Sequence, residues 1–119
     1  MRTHNIQLAH RWIDAFNSYS LEKLLELYSE DAVHHSPKLQ LRQPETGGKI
    51  QGREAMRSWW ADAFERLPTL RYELVNLIAD DKMVLMEYKR TVTGEPDMMV
   101  AEILEIEAGL IIRSRVYHG

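Results

Sequence analysis

His34 and Ser36 sit two residues apart in the stretch Ser29-Glu-Asp-Ala-Val-His-His-Ser-Pro37. Side chains of an extended strand alternate between its faces, so His34 and Ser36 share one face while His35 takes the other. An imidazole titrating at about 6.5 is suited to proton transfer near neutral pH without further tuning. On this reading His34 is a general base, Ser36 is a hydroxyl polarised beside it, and His35 points outward. A second candidate is Glu102, within Val100-Ala-Glu-Ile-Leu-Glu-Ile106. If Val100, Leu104 and Ile106 face a core, Glu102 faces it with them, and a carboxyl taken out of water must be paired or protonated. The opposite parity, with Met99, Ala101 and Ile103 inward, stays open. Arg90 shares a side with Val84, Met86, Tyr88 and Val92, and hairpin pairing makes it the expected partner of Glu102. His118 ends a row of Leu110, Ile112, Ser114 and Val116, which places it at the mouth of any pocket that row lines. Arg113, Arg115 and Tyr117 then take the outer face, with a composition suited to a subunit interface.

These groups need elements to hold them. Ile6, Ala9, Ile13 and Phe16, widened by Leu8 and Trp12, predict a helix over about Asn5 to Ser18. Ser20 is a suitable N-cap for a short second helix, with Glu22 in its first turn and Leu21, Leu24, Leu25 and Tyr28 on its buried side. The histidine strand follows. Lys38 to Gly48 is polar, and Pro44 with Gly47-Gly48 makes part of it a loop. Lys49 to Gly52 suits a short return strand. Met56, Trp59, Trp60, Ala63, Phe64 and Leu67 recur at intervals of three and four, a third helix limited by Pro68. Beyond Pro68 the chain reads as four antiparallel strands. Leu70, Tyr72, Leu74 and Ile78 alternate in the first, and Met83 to Thr93, Met98 to Glu107 and Leu110 to Tyr117 form the rest. Helices first and a meander last is an α+β signature with the helices on one face of the sheet.

The chain has 119 residues, 45% of them hydrophobic and 28% charged. That predicts a single domain spanning 1–119, burying roughly two-thirds of the surface its unfolded form exposes. It contains no cysteine, which excludes disulfides and thiolate metal sites. A net charge of −3, with no basic run, argues against a nucleic-acid partner. No apolar run approaches membrane-spanning length and no signal core opens the chain, so a cytoplasmic location is expected and no membrane partner. A metal set of His34, His118 and Glu102 lacks ligand spacing, and no phosphate-binding glycine motif appears. Chemistry without metal or cofactor is expected.

Arg11-Trp-Ile-Asp-Ala-Phe16, Leu27-Tyr-Ser-Glu-Asp-Ala-Val33, Gly52-Arg-Glu-Ala-Met56 and the closing Arg115-Val-Tyr-His-Gly119, in this order, resemble the SnoaL-like branch of the nuclear transport factor 2-like superfamily. The resemblance covers nearly the whole chain. It implies a cone-shaped, curved antiparallel sheet wrapped around three helices, with an apolar pocket between them and a homodimer across the outer sheet face. Ketosteroid isomerases of this superfamily use a carboxylate base with a tyrosine and a protonated aspartic acid as oxyanion donors. By position those become Ser36, Trp12 and Glu102 here. Only Glu102 keeps the type, so typical ketosteroid isomerase chemistry is not expected. Epoxide hydrolysis, found in a sibling branch with an Asp-Arg-Asp set, is matched only in part by Arg90 and Glu102.

The resemblance implies instead a cofactor-independent isomerase, cyclase or hydratase acting on a small apolar or aromatic carbonyl compound. His34, Glu102, Arg90 and Ser36 would be the catalytic groups. Trp12, Phe16, Met56, Trp59, Trp60, Met86, Tyr88, Leu104 and His118 would line the pocket. A non-catalytic ligand-binding homodimer is the alternative, and it requires the pocket's polar groups to satisfy one another. A protein-interaction module would need an exposed apolar patch beyond the dimer face.

Overall fold

The helical stripe near the N-terminus becomes α1, Arg2–Asn17, which buries Leu8, Ala9, Trp12, Ile13, Ala15 and Phe16. We describe a computed structural model of the protein over residues 1–118; Gly119, the last residue of the closing motif, lies outside the described residues. Ser20 caps α2, Leu21–Leu25, by accepting a hydrogen bond from Lys23 N. Tyr28 does not extend the buried side of this helix. It opens β1, Tyr28–His35, and is fully buried there.

The segment after Ser36 holds a helix that the sequence reading left out: α3, Pro37–Arg42. Ser36 Oγ accepts from Lys38 N, Pro37 supplies a preset φ in the first turn, and Leu39 is buried beneath. A 3-10 turn over Pro44–Thr46 leads to β2, Lys49–Gln51. Gly52, at φ +92, turns that strand directly into α4, Arg53–Arg66. The N-terminal half therefore carries four α-helices rather than three.

β3 (Arg71–Ala79), β4 (Met83–Thr91), β5 (Met98–Glu107) and β6 (Leu110–His118) form the meander. With β1 and β2 they build one curved six-stranded sheet in the order β2-β1-β6-β5-β4-β3. Every pairing is antiparallel except β1 with β6. Helix α1 packs on β3 and β4 and α4 on β1 and β2, so the helices share one face of the sheet. The architecture is α+β.

Two bulges alter the expected faces. Leu74 pairs with Tyr88 but Asn76 pairs with Glu87, leaving Val75 as the extra residue. The side-chain alternation flips there. Leu77 and Ala79 then turn inward, while Ile78 turns out and is 69% exposed. In the β5–β6 pairing the shift falls between Glu105 and Ile106, leaving Ile112 as the extra residue of β6, so Ile111 takes the core position in place of Leu110 and Ile112. Beyond it Ser114, Val116 and His118 keep the inward register. In β5 the inward set is Val100, Glu102, Leu104 and Ile106, all buried, which resolves the parity left open by sequence.

No helix is long and apolar enough to cross a membrane.

Candidate functional site

The two helix layers do not close completely over the sheet. Between them lies a cavity of about 240 Å³, walled by Trp12 and Phe16 from α1, Trp59 and Trp60 from α4, and Tyr72, Tyr88, Val100 and Val116 from the strands. The aromatic wall is continuous. Trp12 lies 4.4 Å from Phe16 and Tyr72 lies 4.3 Å from Tyr88 between ring centroids, and Trp12 stacks on Tyr72 at 5.8 Å. For scale, a cavity of roughly 150 Å³ holds a benzene ring.

His34, Ser36, Arg90, Glu102 and His118 all line this cavity. So do the expected Trp12, Phe16, Trp59, Trp60 and Tyr88. Met56, Met86 and Leu104 do not. They are fully buried in close-packed core and present no surface to the cavity. His35 lies on the outer face, in register with Arg115.

Glu102 is 1% exposed. The Tyr88 hydroxyl donates to its Oε1 at 2.8 Å, and Oε2 has no partner among the described residues. Burial pushes its pKa up to about 8, against a smaller lowering by the Tyr88 hydrogen bond. Arg90 is not its partner, contrary to the sequence expectation. Arg90 pairs in register with Met98, whereas Glu102 stands opposite Met86, four pairs further along the hairpin. The guanidinium reaches the other way and donates from Nη1 to Glu95 Oε1 at 2.9 Å, in the segment between β4 and β5.

His34 is 3% exposed and lies 5.2 Å from Trp60 between ring centroids. Burial drives its pKa down to about 3, helped by the charge of His35. Its polar neighbour is not Ser36, whose oxygen caps α3. It is Ser114, on the parallel neighbour β6, with Nδ1 to Oγ at 2.7 Å. Ser114 belongs to a longer chain of groups. The Trp12 indole N–H donates to the Tyr28 hydroxyl at 3.1 Å, and that hydroxyl donates to Ser114 Oγ at 3.1 Å. Burial raises the Tyr28 pKa, as it does that of Tyr88, so both phenols stay protonated. Ser114 was visible in sequence only as an inward-facing residue of β6, and Tyr28 only as an apolar helix position. Their juxtaposition depends on the parallel pairing of β1 with β6, which no local pattern announces.

At the mouth, Lys38, Leu41 and Arg42 from α3, Arg66 from α4, Glu95 and His118 surround the opening. Burial lowers the His118 pKa first, and the nearby Lys38 and Arg90 charges lower it further. Among the described residues no group of three or more His, Asp or Glu side chains is placed to hold a metal ion.

Similar molecules share this arrangement of sheet and helices. A SnoaL-like protein of unknown function from Burkholderia thailandensis superposes with a TM-score of 0.90 at 21% identity, covering 100% of this chain and 97% of that one. A candidate ketosteroid isomerase from Kribbella flavida gives 0.81 at 20% identity, covering 99% of this chain and 79% of that one. A candidate polyketide cyclase from Sinorhizobium meliloti gives 0.79 at 20% identity, over 93% and 94% of the two chains. At such identities the likeness concerns the fold. No protein of curated function matches the sequence. The model of the SnoaL-like domain matches residues 9–114, and the chain is therefore a member of the SnoaL-like domain family.

Proposed function

We propose that the protein is a cofactor-independent proton-transfer enzyme, of isomerase or cyclase type, acting on a small apolar carbonyl compound held in the aromatic cavity. The observation that carries this is Glu102, a buried carboxyl with a free oxygen in a cavity wall and a pKa of about 8. A pocket built only to store a ligand gains nothing from an unsatisfied carboxyl, which costs about 1–3 kcal/mol to leave unpaired. A proton carrier is served by one, because a pKa near the working pH lets it both take and return a proton.

The hydrogen-bond chain supports a complementary role for His34. An indole N–H can only donate, so Tyr28 accepts from Trp12 and gives its own hydrogen to Ser114. Ser114 retains one hydrogen, and in the proposed arrangement it gives that hydrogen to His34 Nδ1. The ring hydrogen then sits on Nε2, which has no partner among the described residues in a ring that lines the cavity. His34 is thus a neutral donor rather than the base that its sequence position suggested. With its pKa near 3 it stays uncharged across the physiological range.

In the reaction, the ionised form of Glu102, about one-tenth of the population at pH 7 for a pKa of about 8, removes a proton from the carbon next to the substrate carbonyl. The electron pair moves onto the carbonyl oxygen, which His34 Nε2–H stabilises as an enolate. Glu102 returns the proton to another carbon to complete an isomerisation. In a cyclisation the enolate carbon instead attacks a second carbonyl, and the proton goes to the new alkoxide.

Proton exchange next to a carbonyl tests this without knowledge of the natural product. In deuterium oxide, the protein should exchange those hydrogens in aryl and unsaturated ketones, followed by NMR. Glu102→Gln should slow exchange at least about 100-fold while ketone binding persists. Tight ketone binding with no exchange above buffer in the unmodified protein would establish the ligand-binding reading instead.

We also infer a homodimer through the outer sheet face. Ile78, Leu85, Ile103 and Arg115 stand in one row across β3 to β6. Leu85, Met99 and Tyr117 are 40%, 42% and 51% exposed on the same side. Such a contiguous apolar strip is costly to leave in water. Sedimentation should give twice the 13.9 kDa chain mass, and Leu85→Glu should give the monomer.

A further inference from the structure

The polarity of the cavity is reversed between its floor and its mouth, and the proposed proton transfer uses only the floor. Near the floor the polar groups are neutral in the resting state: His34, Tyr88 and a Glu102 held largely protonated. At the mouth, Lys38, Arg42, Arg66 and Arg90 line the opening against one ionised lining carboxylate, Glu95. The chain as a whole carries a net charge of −3, so this clustering of cations runs against the composition.

Arg90 is the most informative of the four. Its side chain is 6% exposed, yet its partner Glu95 is 42% exposed and takes a bond from Nη1 alone. A guanidinium carries five N–H donors in a planar fork that matches a carboxylate, and a buried one with so little compensation is unfavourable without a further anion. Lys38, half-buried in the adjoining helix, has its pKa lowered by burial and then by Arg90, with Arg66 and Arg42 adding to the effect. Glu95 acts in the opposite direction but more weakly than Arg90. Arg42 and Arg66 share Asp62 outside the cavity, at 3.8 and 2.7 Å. No such carboxylate from outside bonds Lys38 among the described residues. Leu41, 81% exposed at the same rim, adds apolar surface beside the cations.

We propose that the cavity mouth is a carboxylate subsite formed by Arg90 and Lys38 with Arg66, and that the ligand is an apolar or aromatic acid whose carbonyl-bearing end lies at His34 and Glu102. This rests on the reading of the cavity as a ligand site and specifies its ligand. The acid group occupies the fork of Arg90, the apolar body lies along the aromatic wall, and the reacting end meets the neutral floor. A carboxylate at the floor would lose its hydration among neutral groups with no cation to pair with, so the ligand has one favoured orientation.

A matched pair of probes separates acid from apolar recognition. 2-Naphthoate and 2-acetonaphthone share their ring system and differ in charge. By isothermal titration the acid should bind about tenfold more tightly than the ketone at low salt, with that advantage shrinking at high salt. Lys38→Gln, which removes a cation at the rim, should take away most of the advantage and weaken ketone binding much less. Arg66→Gln should act in the same direction. The subsite is refuted if the acid binds no better than the ketone, or if Lys38→Gln weakens both equally; ketone binding would then still support the apolar cavity. Absence of binding by both probes would remove the ligand-site reading along with the subsite.

Discussion

Ser114 has no reactivity of its own, yet in the proposed mechanism it sets which nitrogen of His34 carries the ring hydrogen. Its hydroxyl receives from Tyr28 and faces Nδ1 of the imidazole at 2.7 Å. In the nitrogen NMR spectrum of the protein, His34 should appear as a neutral ring protonated at Nε2. Ser114→Ala should release that preference and produce a mixture of tautomers. Exchange activity should then fall about tenfold, because the donor is misplaced in part of the molecules. A wild-type ring protonated at Nδ1 would instead restore His34 to the role of base. At this scale the sequence carried the residue types well and their partners poorly. His34 was legible from strand alternation, which left the face of Glu102 open between two parities. Arg90 was matched with the wrong carboxylate because a hairpin's register is set by its turn and pairing, and the four-residue offset between the two pairs is roughly 13 Å along the strand.

The elements that position these residues depend on contacts distant in sequence. Asn17, at the end of α1, donates from Nδ2 to the Tyr72 carbonyl and accepts from the Tyr72 amide, both at 2.8 Å. Its side chain thereby joins α1 to β3 and fixes Tyr72 in the cavity wall. Asn17→Ala should lower unfolding free energy by about 1–3 kcal/mol, measured by urea denaturation, since it strands two half-buried backbone groups. It should also weaken aromatic ligand binding, because Tyr72 loses its anchor. Helix periods were legible for α1 and α4, whose apolar residues repeat at intervals of three and four over several turns. α3 escaped because six residues are too few to show a period. Its one local sign, serine followed by proline, suits the end of a strand equally well. The bulge at Val75 was equally silent: one extra residue reverses the faces of β3, and nothing in Leu74-Val-Asn-Leu77 marks it.

For the molecule as a whole, the two buried titrating groups shape stability in opposite directions. Glu102 is held neutral, so its contribution is fully present below the ordinary carboxyl value of 4.5 and is lost as pH rises toward about 8. His34 is also held neutral, but for an imidazole that contribution is present above 6.5 and is lost as pH falls toward about 3. Between 4.5 and 6.5 the two slopes cancel, so their joint effect is flat there and declines on either side. Glu102→Gln should abolish the alkaline decline attributable to this pair, leaving the acid side in place. Thermal melts of both proteins across that range check it, and an unchanged alkaline slope in the variant would show that Glu102 is ionised in the folded protein.

Composition and periodicity were sufficient for an α+β chain with an apolar helical layer on a meander, because burial of apolar side chains dominates folding and leaves its period in the residue order. They were sufficient, too, for which side chains could carry chemistry. The tertiary structure alone decided which of those side chains meet. Parallel pairing of β1 with β6 brought Ser114 to His34, the β4–β5 register separated Arg90 from Glu102, and the gap between α1 and α4 gave the cavity its walls. Each is a relation between segments far apart in the chain, fixed by packing and hydrogen-bond geometry rather than by any local pattern of residues.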